Sequence, residues 1–349
     1  MITVSKYSLP IADSPSPERH PSFRLPPRRS PWTGRIRNKS SRPTGARMRA
    51  DLKPPSTTEA YWTWRGHRIC YWVAEPNAAP ERPPIVLLHG FGASAGHWRK
   101  NIAELAAHRR VYALDWLGFG ASAKPALPYS LELWEAQLVD FCTEVVGAPA
   151  VLVGNSIGAL EALMVTARHP ERATATVLLN CAGGLTHRPE ELPLVTRPVM
   201  AAMQMVLRVP GLAERFFDFA RSKRNIRNTL RQVYGNAEAV TEELVELLYT
   251  PSSDPGAAAV FVSVLTAEAG PRPEELLPLV RTPLLVLWGD KDPWTPIGRG
   301  RTFARYAPQS QFVALEGLGH CPHDEDPRRV NAAIREWLAT TECLHDNRA

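Results

Sequence analysis

The sequence lacks any apolar run near the roughly 20 residues that a membrane-spanning helix needs. Its longest candidates are Ile85 to Leu88 and the patch Val199 to Leu207, which excludes a helical span. There is no apolar stretch in the first 30 residues, which argues against a secretory signal. Neither a C-x-x-C pair nor a zinc-ligand spacing occurs. The five cysteines, Cys70, Cys142, Cys181, Cys321 and Cys343, are odd in number and lack pairable spacing. They read as reduced thiols in a non-oxidising compartment. Internal repeats and coiled-coil heptads are absent as well.

Acidic residues are scarce in one place. Residues 1–60 hold 12 Lys and Arg against 4 acids, whereas the rest of the chain holds 29 against 31. The formal charge of +6 therefore belongs to the leader and not to the body. A nucleic-acid partner is not expected, because it would need the basic excess on the folded part. A segment rich in Arg, Pro and Ser has the composition of an organelle transit peptide. Residues 1–58 are read that way, with the chloroplast as destination and the mitochondrion as the alternative; a disordered basic tail is the plainer reading.

With 349 residues the chain is long enough to bury a sizeable core. Composition changes near residue 60, and one folded domain is expected over 59–342. Tyr61 to Arg65 and Arg68 to Val73, separated by Gly66-His67, predict an opening hairpin. Short continuous apolar runs follow at Ile85 to His89, Arg110 to Asp115, Ala150 to Gly154, Thr176 to Asn180, Leu284 to Trp288 and Phe312 to Leu315. Such runs suit strands buried on both faces of a parallel sheet. Leu131 to Val146 and Ile157 to Arg168 predict helices, the second closed by His169-Pro170. The alternation predicts an α/β fold with a mostly parallel, doubly wound sheet. It stops at Gly183, and the mixed helical, Pro-jointed stretch (Pro189, Pro193, Pro198, Pro210) as far as about Pro251 predicts an inserted helical cap.

The strongest chemical signal is Gly154-Asn155-Ser156-Ile157-Gly158, a G-x-S-x-G between an apolar strand and a helical pattern. That context is a nucleophile elbow, which presents a serine hydroxyl on a tight strand-to-helix turn. A general base is expected from a late loop and an acid from the loop before it, in the order Ser, acid, His. Gly317-Leu-Gly-His320 follows the last predicted strand, so His320 is the base and His323 the runner-up. A metal reading of His320, Cys321, His323 and Asp324 finds no further ligand cluster to support it. Trp288-Gly-Asp290-Lys-Asp292 offers two carboxylates; Asp292 is the preferred acid, and Asp290 has the plain reading of a turn residue. For the oxyanion, backbone N–H donors are expected from Ile157, directly after the nucleophile, and from Phe91 in the loop His89-Gly-Phe-Gly92. His89 itself reads as a packing or hydrogen-bonding residue. Serine at the elbow argues against the haloalkane dehalogenase and most epoxide hydrolase chemistries of this fold, which need Asp there. No cofactor or metal is required.

From about Tyr61 to Leu338 the chain resembles the chlorophyll dephytylases and pheophytinases, plastid enzymes of the α/β-hydrolase fold. The likeness rests on Leu88-His-Gly-Phe-Gly92, His97-Trp-Arg-Lys-Asn101, Val111-Tyr-Ala-Leu-Asp115, Gln137-Leu-x-Asp-Phe-Cys142, the elbow, Trp288-Gly-Asp-Lys-Asp-Pro-Trp294 and Gly319-His-Cys-Pro-His-Asp-Glu325. The elbow and triad segments are shared by many hydrolases. His97 to Asn101, Asp140-Phe-Cys142 and Glu268 to Pro278 are more particular to the group. Ala159 departs from the group's usual second glycine.

The resemblance implies hydrolysis of the phytyl ester of chlorophyll or pheophytin, with a phytylated tetrapyrrole as substrate. It also makes Met200, Met203, Met205, Val206 and Leu207 a surface for an isoprenoid tail or for peripheral thylakoid contact, against the plainer reading that they pack the cap. The rivals are a generic carboxylesterase, a carbon–carbon bond hydrolase of ring-cleavage products, and a binding module on a hydrolase fold.

Overall fold

A computed structural model describes Pro54, 57–76, 82–186, 188, 198, 202, 205–207, 209 and 211–346. The basic leader, apart from Pro54 and the first residues of β1, lies outside the described residues, as do Met200, Met203, Pro189, Pro193 and Pro210 of the expected cap.

Among the described residues eight strands form one sheet: β1 (Thr57–Trp64), β2 (His67–Ala74), β3 (Ile85–Leu88), β4 (Val111–Leu114), β5 (Ala150–Asn155), β6 (Ala173–Leu179), β7 (Leu284–Gly289) and β8 (Gln311–Leu315). Their order is β1-β2-β4-β3-β5-β6-β7-β8. The hairpin joins antiparallel to β4, and every pairing from β4 through β3 and β5 to β8 is parallel.

The central strands are apolar without a break because both of their faces are covered. Successive side chains go to opposite faces: Val86, Leu88, Leu152, Leu178 and Val286 enter one core, and Ile85, Leu87, Val151, Val153, Val177 and Leu285 the other. Helices α1 (Leu131–Phe141) and α2 (Ile157–Arg168) close the first face. Ser130 caps α1 by accepting the Leu133 N–H at 3.2 Å, a contact worth about 1 kcal/mol. α2 is buried from Ile157 to Thr166 and ends at the proline. β6 begins at Ala173, three residues before the predicted run, directly after a short turn at Pro170–Arg172.

Between β6 and β7 the chain leaves the sheet. The described residues there form α3 (Leu212–Ala220), α4 (Lys223–Val233), α5 (Glu242–Ser252) and α6 (Ala257–Leu265). Helix therefore continues beyond the expected cap boundary at Pro251. α7 (Ile297–Tyr306) and α8 (Pro327–Asp346) complete the sheet's cover.

β3 has β4 on one side and β5 on the other, so chain direction across the sheet reverses there. The carboxyl ends of strands flanking such a switch point form the crevice in which α/β folds place their ligands.

Candidate active site

Ser156 follows β5 directly and stands at φ 57°, ψ −119°. Few non-glycine residues adopt that backbone, and holding one there costs about 1–3 kcal/mol. The flanking glycines make it feasible. A Cβ on Gly154 would lie 2.1 Å from the Gly158 carbonyl oxygen, and one on Gly158 would lie 2.3 Å from that of Leu88. The elbow is thus pressed against itself and against β3. The departure at Ala159 fits: its methyl is fully buried in the core beneath the elbow.

His320 Nδ1 lies 2.7 Å from Asp292 Oδ2, with both side chains buried. The Asp292 carboxylate is heavily donated to. Asn180 Nδ2 reaches the same Oδ2 at 2.7 Å, the Thr295 hydroxyl also donates to it, and Oδ1 accepts the Trp294 and Thr295 N–H groups at 2.8 and 3.0 Å. Burial alone would raise this carboxyl's pKa, but the hydrogen bonds and the His320 partnership outweigh it and hold Asp292 below its ordinary value. With Nδ1 engaged by Asp292, Nε2 is the ring nitrogen left for another partner. The Trp294 ring packs edge-on to the imidazole at 5.1 Å. The backbone of His320 is fixed from both sides, its N–H donating to Val233 O at 2.7 Å and its carbonyl accepting from Asn155 Nδ2 at 2.8 Å.

The loop after β3 lies against the elbow, since a Cβ on Gly90 would be 3.1 Å from Ser156 Cβ. Phe91 sits in that loop with its ring packed on Phe119 and Phe261, and Ile157 opens α2, beneath the surface. Ser156, His320 and Phe91 all line one cavity of about 320 Å³. Its remaining wall is mostly apolar and comes largely from the cap: Phe217 of α3, Ile226, Leu230 and Val233 of α4, Leu248 of α5, and Val260 and Phe261 of α6. The cations on this wall are engaged, Lys124 with Asp254 at 2.9 Å and Arg221 with Asp218 at 2.8 Å.

The alpha/beta hydrolase family model matches residues 85–333. The chain belongs to the alpha/beta hydrolase family. Among curated relatives of this hydrolase, Arabidopsis thaliana "Pheophytinase, chloroplastic" is 28% identical over 79% of this chain and 67% of its own length. A 2-hydroxymuconate semialdehyde hydrolase from a Pseudomonas species is 29% identical over 74% of this chain and 88% of its own. Of the solved structures, a serine hydrolase involved in carbazole degradation superposes with a TM-score of 0.64 at 22% identity, over 81% of this chain and 99% of that one. The last comparison supports the fold alone.

The other sequence candidates of this hydrolase have different surroundings. His323 is fully buried, stacked on Trp98 at 4.1 Å, and neither ring nitrogen has a hydrogen-bond partner among the described residues. Asp290, just after β7, accepts the N–H of Gly317, just after β8, at 2.7 Å. His89 is buried with Nδ1 2.8 Å from Gly90 O and Nε2 accepting the Trp116 N–H at 3.3 Å; burial drives its pKa down to about 3. The His97 to Asn101 motif packs on the loop that carries His320. Trp98 covers His323, Arg99 pairs with Asp324 at 2.8 Å, and Asn101 Nδ2 donates to His323 O at 3.1 Å.

Sequence reasoning missed Asn180. It ends a predicted strand and looks like any polar residue at a sheet edge. Its backbone is left-handed at φ 44°, and its Oδ1 accepts the Gly289 N–H at 3.0 Å, so one amide aligns the ends of β6 and β7 beneath the acid.

Proposed function

We propose that the chain is a serine esterase that cleaves the phytyl ester of chlorophyll or pheophytin, with Ser156 as nucleophile, His320 as base and Asp292 as the acid that orients it. The observation that carries this reading is the joint placement of Ser156 and His320 on a cavity walled by cap phenylalanines and aliphatic residues. A serine that shares its cavity with an imidazole held by a carboxylate suits acyl transfer, and an apolar wall suits an isoprenoid alcohol. The chloroplast pheophytinase relative agrees in substrate class and gives plastid location its support.

In the proposed reaction Ser156 Oγ attacks the ester carbonyl while His320 Nε2 takes its proton, and the N–H groups of Phe91 and Ile157 hold the oxyanion. Such donors contribute a few kcal/mol each to the transition state. The imidazolium then protonates the departing phytol oxygen. Water, deprotonated by the same nitrogen, attacks the acyl carbon, and that proton passes to Ser156 Oγ as the tetrapyrrole propionate leaves. The step needs no metal or cofactor.

A peripheral membrane approach belongs to the same proposal. Met205 and Phe219 are 69% and 66% exposed, with Val206, Val209 and Leu212 exposed beside them in sequence, whereas Leu207 is buried. Among the described residues no helix is long and apolar enough to cross a membrane.

The carbon–carbon hydrolase reading has the 2-hydroxymuconate semialdehyde hydrolase relative in its favour. Its substrates carry a carboxylate, however, and the cavity's Lys124 and Arg221 are already ion-paired. Turnover of pheophytin a, a short soluble ester and a dienoic diketone by one preparation separates the readings. Pigment dephytylation above the other two activities supports the proposal, and preference for the diketone overturns it.

A further inference from the structure

The loop that carries His320 is tied to the cap through Glu325. Its Oε1 accepts the Gly319 N–H at 2.9 Å, and its Oε2 accepts the N–H groups of Gly235 and Asn236 at 2.8 and 3.1 Å. One carboxylate thus holds both the residue before the base and the chain just past the end of α4. The two segments meet backbone on backbone. A Cβ on Gly319 would lie 2.1 Å from Val233 O, and one on Gly235 would lie 2.2 Å from Gly317 O. The bond from His320 N–H to Val233 O, 2.7 Å long, runs through the middle of this contact.

Asp324, the neighbouring residue, grips the cap a second time. Tyr234 Oη donates to its Oδ2 at 3.2 Å, and Arg99 joins its Oδ1 at 2.8 Å to Glu243 of α5 at 2.6 Å. Cys321 completes the contact by entering the cap's own apolar cluster with Leu230, Val233 and Leu244.

α4 also meets the cavity. Ile226, Thr229, Leu230 and Val233 line it, a spacing that puts them on one helical face. The helix that would touch the apolar part of a substrate therefore ends in the clamp on the base.

We propose that Glu325 is a positioning residue, one that registers His320 against α4 so that an apolar tail lying on α4 brings the base into line with Ser156. The proposal rests on the serine-esterase reading above. Its physical warrant is the steep dependence of catalysis on alignment, where a displacement of about 1 Å costs roughly a hundredfold. Hydrogen bonds from N–H groups to a carboxylate are about twice as strong as neutral ones, so this clamp is stiff.

The test compares kcat and KM for ethyl propionate and dodecyl propionate, followed by acid release, in the full chain and in Glu325→Ala and Glu325→Gln, with fluorophosphonate labelling of Ser156 and thermal melting alongside. The two esters share their acyl group and differ in the alcohol, and the dodecyl chain is expected to extend along α4 where the ethyl group is not. The Ala variant is expected to lose about 10- to 100-fold in kcat on the dodecyl ester with KM within about threefold, and to lose much less on the ethyl ester. The Gln variant keeps one acceptor oxygen and is expected to fall between the two. Equal losses on both esters, or kcat within twofold of the parent on the dodecyl ester, overturn the positioning role.

Should Glu325→Ala fail to fold, Gly235→Ala reads the same comparison. It keeps the carboxylate and wedges α4 off the base loop, and an equal loss on both esters overturns the role there too. Absence of labelling at Ser156 in the parent chain overturns the esterase reading, and the positioning role with it. Labelling with unchanged chain-length selectivity in the variant overturns the positioning role alone.

Discussion

Asn180 Nδ2 stands 2.7 Å from Asp292 Oδ2, the same oxygen that His320 Nδ1 reaches at 2.7 Å. The amide shares the acid with the base, and through its own carbonyl it is anchored to the start of the loop that carries the acid. Asn180→Ala removes a hydrogen bond to a charged group, worth about 1.5–3 kcal/mol. The expected outcome is a roughly 10- to 100-fold loss in kcat with KM unchanged, because Asn180 does not line the cavity. Steady-state kinetics on a soluble ester checks it; a raised KM at normal kcat would contradict it.

The elbow stores strain at Ser156, and two inactive variants read it. Ser156→Ala keeps a Cβ at φ 57°, whereas Ser156→Gly relaxes it. Glycine costs about 0.5–1 kcal/mol in chain entropy against about 1–3 kcal/mol of relieved strain. Thermal melting is expected to place the Gly variant above the Ala variant by a degree or more. A lower melting point for Gly would show that the elbow is unstrained.

Three buried histidines set an acid limit on stability. Burial lowers His89 to about 3 and His97 to about 4, and it takes His323 well below the ordinary value. The unfolded chain binds these protons from about pH 6.5 downward while the folded chain refuses them, so stability present above 6.5 is lost as pH falls toward 4. His323→Phe keeps the ring on Trp98 and is expected to flatten the fall in melting temperature between pH 7 and 4, with hydrolysis at pH 8 retained. His320→Ala is expected to abolish hydrolysis. Loss of activity in the His323 variant, with activity kept in the His320 variant, would reverse their roles.

Glu161 on α2 is fully buried, and neither of its carboxyl oxygens has a hydrogen-bond partner among the described residues. Burial, with Glu135 and Glu132 nearby, raises its pKa well above the ordinary value. The folded chain keeps this proton at pH values where the unfolded chain releases it, so its presence costs stability increasingly as pH rises above about 4.5. Glu161→Met is expected to raise stability by about 1–3 kcal/mol at pH 7, with a smaller gain at pH 4. A destabilised variant at pH 7 would reveal an unseen partner for the acid.

Much of the site was legible in the sequence because its parts are local. The elbow needs glycine on either side of Ser156 for reasons that hold within five residues, and the apolar runs before Ser156, Asp292 and His320 mark where each loop leaves the sheet. Asn180, Tyr234 and Glu325 were not legible. Asn180 meets Asp292 only because β6 and β7 are neighbours across a long helical insertion. Glu325 meets Gly235 only because the cap folds back onto the last loop. Helical patterning beyond Pro251 was missed because α6 is almost wholly apolar, so no polar face marks its period. The preference of the site for one ester over another is likewise a property of the assembled cavity wall.

The most direct measurement is phytol release from chlorophyll a and pheophytin a, supplied separately, by the parent chain without residues 1–55 and by its Ser156→Ala variant. Release by the parent and none by the variant is expected, and the two pigments would then be ranked. If the parent released no phytol from either pigment yet cleaved a short ester, the pigment assignment would be contradicted and only a serine esterase of this fold would remain.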